Sequence, residues 1–266
     1  MSLPPPTPRT RAVITGASSG IGEALAESLA RRGHALVLVA RREGRLKALA
    51  EKLSESCRVE VEVRARDLAD RGERAELAAE LAERDVSVLC NNAGFATYGL
   101  LSALDPARER EQLELNATAV QDLTLAVLPG MLERKAGGIL ITGSTAGNQP
   151  SPRNATYAAS KAFANTFAES LHAELKGTGV GCTLLAPGPV RTEFTAVADA
   201  PGVDKLVPGP LWVTAERAAE LAVEGLAQDK RRVVPGAFAK VQTVGGLYGP
   251  RGLAGPILRT VYKKVK

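Results

Sequence analysis

The sequence predicts a single doubly wound α/β domain, with a central parallel sheet of about seven strands flanked by helices on both faces. Three observations predict it. Short apolar segments alternate with amphipathic helical patterns along most of the chain, as in a parallel sheet with crossover helices. Several of these segments, such as ALVLVA at 35–40, are near-continuous rather than alternating, as strands covered on both faces are. The length, 266 residues, suits one such domain and buries a large core without disulfides or metals.

The first strand is read at 12–15, followed by a glycine-rich turn and a helix through Arg32 that Gly33 ends. A second strand covers 35–40, and a charged helix runs from about Arg45 to Ser56. Residues 59–63 alternate polar and apolar, a strand pattern; a helix follows from about Asp70 to Arg84, then a buried strand at 86–90. Residues 108–135 read as one or two helices, 138–143 contains a strand, 155–175 is a long helix, and 181–185 is a strand ending at Pro187-Gly188. A helix at 216–228 and a last strand at 231–234 complete the domain, bounded at 11–244. Residues 1–10 form a Pro-rich leader expected to be disordered, and 245–266 a Gly/Pro-rich tail with a short amphipathic helix.

Composition narrows the function classes. The net charge of +5 is spread among nearly as many acids as bases, with no dense basic run interleaved with aromatics, which argues against nucleic acid. Cys57, Cys90 and Cys182 form no C-x-x-C pair and read as reduced thiols, suiting a reducing compartment. His34 and His172 have no acidic or cysteine neighbours at ligand spacing, so no metal site is expected. The N-terminus lacks the apolar core of a signal peptide and no apolar run spans a bilayer, so a cytoplasmic protein is expected.

Two motifs carry chemistry. Thr15-Gly16-Ala17-Ser18-Ser19-Gly20-Ile21-Gly22 lies between the first strand and first helix. A tight turn there lets backbone approach a pyrophosphate, and the helix N-terminus presents free N–H groups and its positive dipole end. The spacing is G-x-x-x-G-x-G rather than G-x-G-x-x-G; the alternative is a loop that merely caps a helix. The second motif is Tyr157-Ala-Ala-Ser-Lys161 at the start of a long helix. Residues four apart share one face. A free phenol titrates at about 10, and a nearby ammonium lowers that value, making a usable general acid/base. The alternative is a surface tyrosine beside a solvated lysine.

The TGASSGIG turn, Asn91-Asn92-Ala93-Gly94 after the fourth strand, and the tyrosine–lysine pair resemble the short-chain dehydrogenase/reductase family, over about residues 11–234. The resemblance implies a Rossmann-type oxidoreductase that interconverts a carbonyl and an alcohol by hydride transfer with a dinucleotide. It implies cofactor contacts from Gly16, Ser18, Ser19, Gly20, Ile21, Gly22, Asn92, Ala93 and Gly94. It further implies an adenine contact from Asp67-Leu68, and nicotinamide-side contacts from Pro187, Gly188, Val190 and Thr192, beside Tyr157 and Lys161. Ser144, in Gly143-Ser144-Thr145, resembles the family's catalytic serine, and Asn116 its helix asparagine, which supports a water leading to the lysine. Thr142-Gly143 departs from the family's usual Asn and Ser, a difference expected to be inconsequential. The second strand ends Val39-Ala40-Arg41-Arg42 without the acid that holds a ribose 2′-OH. Arg41 and Arg42 instead suit a 2′-phosphate, so NADP(H) is expected with NAD(H) possible; the alternative is two solvated arginines.

Phe194, Val197, Val203, Leu206, Val207, Leu211 and Trp212 either line an apolar substrate site (a ketoacyl, steroid-like or other bulky ketone) or pack a lid onto the body. Ile257, Leu258, Val261, Tyr262 and Val265 fall at helical spacing among basic residues; such a stripe docks on the same protein, on a second subunit, or on a membrane surface, the last being disfavoured. The resemblance implies a homodimer or homotetramer through the long helices around the fifth strand. A catalytically silent cofactor-binding protein is the rival reading, opposed by the presence of Asn116, Ser144, Tyr157 and Lys161 together. A nucleotide-sugar epimerase or dehydratase is the other, opposed by the turn spacing and the chain length.

Overall fold

The computed structural model describes residues 3–194 and 208–249. Its main sheet contains β1 (Arg11–Thr15), β2 (Leu36–Ala40), β3 (Val61–Ala65), β4 (Val86–Asn91), β5 (Gly137–Thr142), β6 (Val180–Leu185) and β9 (Arg232–Val233) in the order β3-β2-β1-β4-β5-β6-β9. Every pairing is parallel. A small second sheet pairs β7 (Val190–Arg191) with β8 (Val213–Thr214).

Strands β4, β5 and β6 are buried at every position, because helices cover both faces. One layer holds α1 (Gly20–Ala30), α2 (Glu43–Cys57) and α7 (Ala215–Ala227), whose Leu25, Leu46 and Val223 pack against Ile14 and Leu38 of the sheet. The other holds α3 (Arg71–Ala82), α5 (Ala119–Arg134) and α6 (Ala155–Glu174), whose Leu77, Leu123 and Leu171 meet Val13 and Val37. Adjacent residues of β1 thus serve opposite layers, as the two-residue period of a strand requires.

Local chemistry sets the helix starts. Asp70 caps α3 by accepting from the Glu73 amide at 2.9 Å, and Asp105 caps α4 (Pro106–Leu113) at the Ala107 amide, also 2.9 Å. Gly33 takes φ +85° just past α1, the left-handed geometry expected of a glycine there. Residues 108–135 form neither one regular helix nor two separated ones: α4 runs through a π-turn at Glu114–Thr118 into α5. Buried Arg74 fastens that region, donating to Asp122 and Glu114 at 2.8 Å each.

The ends of the chain differ from expectation. Within the stretch read as a disordered leader, Pro4 is buried and Leu3 packs on the core. Gly245 does not open an irregular tail, because α8 (Ala237–Tyr248) runs through it. Its glycines masked the helical pattern. Val197, Val203, Leu206, Val207 and the stripe at 257–265 lie outside the described residues. Among the described residues, no helix is long and apolar enough to cross a membrane.

Candidate active site

Strand order reverses between β1 and β4, and the C-terminal ends of those two strands open a cleft of about 540 Å³, where ligands sit in doubly wound sheets. Thr15 closes the gap between them: its hydroxyl accepts from the Asn92 and Ala93 amides at 2.9 Å and donates to the Cys90 carbonyl. The Asn92 side chain donates to the Thr15 carbonyl and accepts from Thr142, joining β1, β4 and β5. Asn91 donates to Thr124 of α5 at 2.9 Å.

The glycine turn is built for close approach. Gly16 and Gly20 adopt φ +67° and +58°, and a Cβ on Gly20 meets Thr192 at 2.9 Å. Gly22 packs behind the turn rather than facing the cleft: a Cβ there overlaps the Gly16 carbonyl oxygen. The other residues expected at the cofactor, together with Ser144, Tyr157 and Lys161, all line the cleft. Asn116 is fully buried behind it.

At one end of the cleft, the termini of β2 and β3 bring together Arg41, Arg42, Arg66 and Asp67. Arg42 lies over the glycine turn, donating to the hydroxyls of Ser18 at 3.0 Å and Ser19 at 2.6 Å. Arg41 pairs with Asp67 at 3.5 Å. Arg66 was missed by the sequence reading. Its Nε is buried without a hydrogen-bond partner, an unmet donor. Glu193 was missed too: it accepts from Arg42 at 3.0 Å and Arg45 at 2.8 Å, which holds its carboxyl below the usual range.

At the other end lie Ser144, Tyr157 and Lys161. Burial pushes the Tyr157 phenol up to about 12, and a hydrogen bond with Ser144 offsets only part of that. The expected acidification by Lys161 is therefore not what this geometry produces. The ammonium stands 6.0 Å from the ring centroid and donates instead to the Thr142 carbonyl at 2.7 Å. Burial pulls Lys161 down to about 8. Asn116 sits on the π-turn, and such turns recur at functional sites. Its amide donates to the Phe95 carbonyl and to Ser160, and accepts from the Phe95 amide. One turn earlier, buried Gln112 makes the same two-way grip on Thr97. These bonds hold the segment after Gly94 against α4 and the π-turn, which the bond to Ser160 ties to α6.

Gly143 matters, contrary to expectation. Asn165, two turns beyond Tyr157 on α6, accepts from the Ser144 amide at 3.2 Å and donates to its carbonyl at 2.9 Å. A Cβ on Gly143 overlaps the Asn165 oxygen. The period Tyr157, Lys161, Asn165 was visible in the sequence, but an asparagine in a helix carries no signal of its partner. The chamber wall is apolar: Phe194 packs on the Tyr157 ring with centroids 5.7 Å apart, and Phe95, Leu115 and Trp212 also line the cleft.

Known proteins are similar to this chain in sequence and fold. The family model for short chain dehydrogenase matches residues 10–201. Sulfoacetaldehyde reductase 2 of Chromohalobacter salexigens is 40% identical over 79% of this chain and 85% of its own. A short-chain dehydrogenase from Sphingobium yanoikuyae in complex with NADPH superposes with a TM-score of 0.80 at 31% identity, over 97% of this chain and 96% of that one. One from Burkholderia phymatum in complex with NAD gives 0.73 at 28% identity, over 85% and 88%. With a glycine-turn cleft at the switch point of a seven-stranded parallel sheet and a family model covering most of its length, the chain belongs to the short-chain dehydrogenase/reductase family of oxidoreductases.

Proposed function

We propose that the chain reduces an apolar ketone or aldehyde to its alcohol with NADP(H), through Ser144, Tyr157 and Lys161, with Asn116 in support. The observation that carries this reading is the convergence of Ser144, Tyr157 and Lys161 in one cleft whose opposite end gathers three arginines.

The residues fit a dinucleotide phosphate. The cradle at Gly16 and Gly20 has no room for side chains, and Ser19 leaves the first amides of α1 without a side-chain cap, free for a pyrophosphate. Arg41, Arg42 and the unmet donor of Arg66 supply the charge for a 2′-phosphate. A relative's complex with NADPH supports this choice, and another's with NAD leaves NAD(H) as the weaker alternative. Asp67 and Leu68 would flank the adenine, and Pro187, Gly188, Val190 and Thr192 the nicotinamide. When bound, the dinucleotide supplies the hydride.

The protein's own groups handle the oxygen. Ser144 and Tyr157, already hydrogen-bonded to each other, bind the substrate oxygen between their hydroxyls. A phenol held at about 12 keeps its proton at neutral pH, which is the state a reduction needs in its proton donor. Lys161 at about 8 is largely charged there, and its ammonium, anchored on the Thr142 carbonyl, would hold the nicotinamide ribose. Asn116 and Gln112 keep the segment around Gly94 in place. Oxidation of the alcohol starts instead from the phenolate, so it accelerates as pH rises.

The wall of Phe95, Leu115, Phe194 and Trp212 favours a bulky apolar carbonyl over a small anionic one such as the sulfoacetaldehyde named for the similar reductase. Exposed Leu125 on α5 and Phe163 on α6 support a homodimer or homotetramer through those helices, and three unpaired cysteines suit the cytoplasm. Tyr157→Phe tests the proposal: turnover of a ketone panel falls by about 10²–10⁴-fold while NADPH binding holds. Wild-type protein that binds NADPH but turns over no carbonyl would favour the silent cofactor-binding reading.

A further inference from the structure

The two edges of the chain just past β5 are held by different means. On one edge, the amides of Gly143 and Thr145 donate to the Leu185 and Pro187 carbonyls at 2.8 and 3.0 Å, continuing the pairing with β6. Ser144 between them is extended, with φ −167° and ψ 153°. Backbone groups alternate in direction along an extended chain, so the Ser144 amide and carbonyl face away from β6. On that edge β4 pairs with β5 only as far as Ile141. The Asn165 carboxamide takes the place of the missing strand, accepting from the Ser144 amide at 3.2 Å and donating to its carbonyl at 2.9 Å. The other lone pair of that carbonyl takes the Gly147 amide at 3.1 Å.

Such a grip needs a donor and an acceptor side by side, which a carboxamide supplies and a carboxylate or a hydrocarbon does not. It also needs the carboxamide the right way round, and its neighbours fix that. Asn165 donates its second proton to Oδ1 of Asn148 at 3.0 Å, and the same oxygen accepts from Arg232 at 3.4 Å. Two donors on that oxygen leave the Asn148 amide nitrogen buried without a partner among the described residues. The oxygen is thus the half of Asn148 that the fold uses. Arg232 is held in turn by Glu169 at 3.1 and 3.2 Å, one turn beyond Asn165 on α6. The contacts run from Ser144 through Asn165, Asn148 and Arg232 and return to the helix that carries Tyr157 and Lys161.

We propose that Asn165 is a positioning residue for the reaction assigned to Ser144, a role that rests on that assignment, and that Asn148 and Arg232 keep Asn165 in the required orientation. Neither asparagine lines the cleft, so both act through Ser144. The Ser144 hydroxyl accepts from the Ala146 amide at 3.1 Å and is hydrogen-bonded with Tyr157. Its direction therefore follows from where the Ser144 backbone stands. A reacting group displaced by about 1 Å loses on the order of 10²-fold in rate.

The test is a double-mutant cycle on the full-length protein, read as kcat and KM for a ketone with NADPH. Asn165→Leu keeps the volume and removes both bonds; kcat falls about 10- to 100-fold, with the KM for NADPH unmoved. In a Ser144→Ala background the same change costs nothing more, because the group it positions is gone. Asn148→Leu lowers kcat in the same direction, and Asn148→Asp, which keeps the accepting oxygen, recovers most of that loss. The NMR resonance of the Tyr157 Cζ carbon, assigned with Tyr157→Phe, reads the bond from Ser144 without turnover. Asn165→Leu shifts it towards its position in Ser144→Ala. Should Asn165→Leu not fold, Asn165→Asp, which gives up only the donated bonds, takes its place. A loss that adds in full to that of Ser144→Ala overturns the proposal. So does a kcat that Asn165→Leu leaves intact while Ser144→Ala lowers it, or a Tyr157 resonance that Asn165→Leu does not move. If Ser144→Ala turns over like wild type, the assignment of Ser144 to the reaction fails instead, and the Tyr157 resonance alone decides whether Asn165 holds Ser144.

Discussion

Replacing Lys161 with Met should stabilise this protein while disabling it. Lys161 is buried with 4% of its surface exposed, and burial pulls it to about 8 from an ordinary 10.5. Folding thus favours the neutral amine, and below pH 8 the folded state bears the full cost of the ammonium, about 3 kcal/mol. As pH rises from 8 towards 10.5 the unfolded chain holds the extra proton, so stability rises with pH in that window as the cost is relieved. Met removes the charge but keeps the volume of the stem. It also forfeits the 2.7 Å bond to the Thr142 carbonyl, about 2 kcal/mol for a charged donor. The balance at pH 7 is a gain of about 1 kcal/mol, or a Tm higher by roughly 2–4 °C for a chain of this size. Calorimetry of both proteins at pH 7, 8 and 9.5 measures it, alongside ketone turnover with NADPH. The wild type should gain stability across that series relative to the variant, and the variant should have little activity. A variant less stable than wild type at pH 7, or a difference that does not change with pH, would refute the argument that burial governs this lysine.

Other outcomes follow from single contacts. Glu193→Gln releases Arg42 and Arg45 from an exposed carboxylate, so the KM for NADPH should fall about two- to fivefold, the range of an exposed ion pair, with NADH kinetics unmoved. Gly22→Ala forces a Cβ onto the Gly16 carbonyl; overpacking of this kind costs about 1–3 kcal/mol, and isothermal titration should show weakened NADPH binding. Arg74→Ala removes two charged bonds from a buried guanidinium, so thermal denaturation should show a loss of about 3 kcal/mol and a Tm lower by roughly 6–12 °C.

The sheet was legible because parallel strands bury both faces: ALVLVA announces β2 without any partner being known. The glycine turn was legible because positive φ leaves few residues to choose from. The Tyr157–Lys161 pair was legible through helical spacing, but its electrostatics were not. Burial dominates both groups, and burial depends on which distant segments close over a residue. Gln112 and Asn165 escaped notice for the same reason, since each bonds backbone that the fold brings from another element. Helix α8 was hidden by Gly245 and Gly246, which are poor helix formers; Gly246 lies where only a bare Cα fits against Asn148. The π-turn had no sequence signature at all.

That turn constrains how the helix around it can change. Each residue of an α-helix advances about 100° around the axis. A π-turn spends one residue more on the same sweep, so deleting one residue between Glu114 and Thr118 restores regular geometry and leaves the faces of α4 and α5 in phase. Only the side chains of the turn itself change direction: Asn116 then lets go of Phe95 and Ser160, and the wall of the cleft loses a mooring. Shortening this helix to a tidier form therefore leaves a protein that folds its sheet but misplaces its chemistry, and a stability screen alone will not distinguish the two.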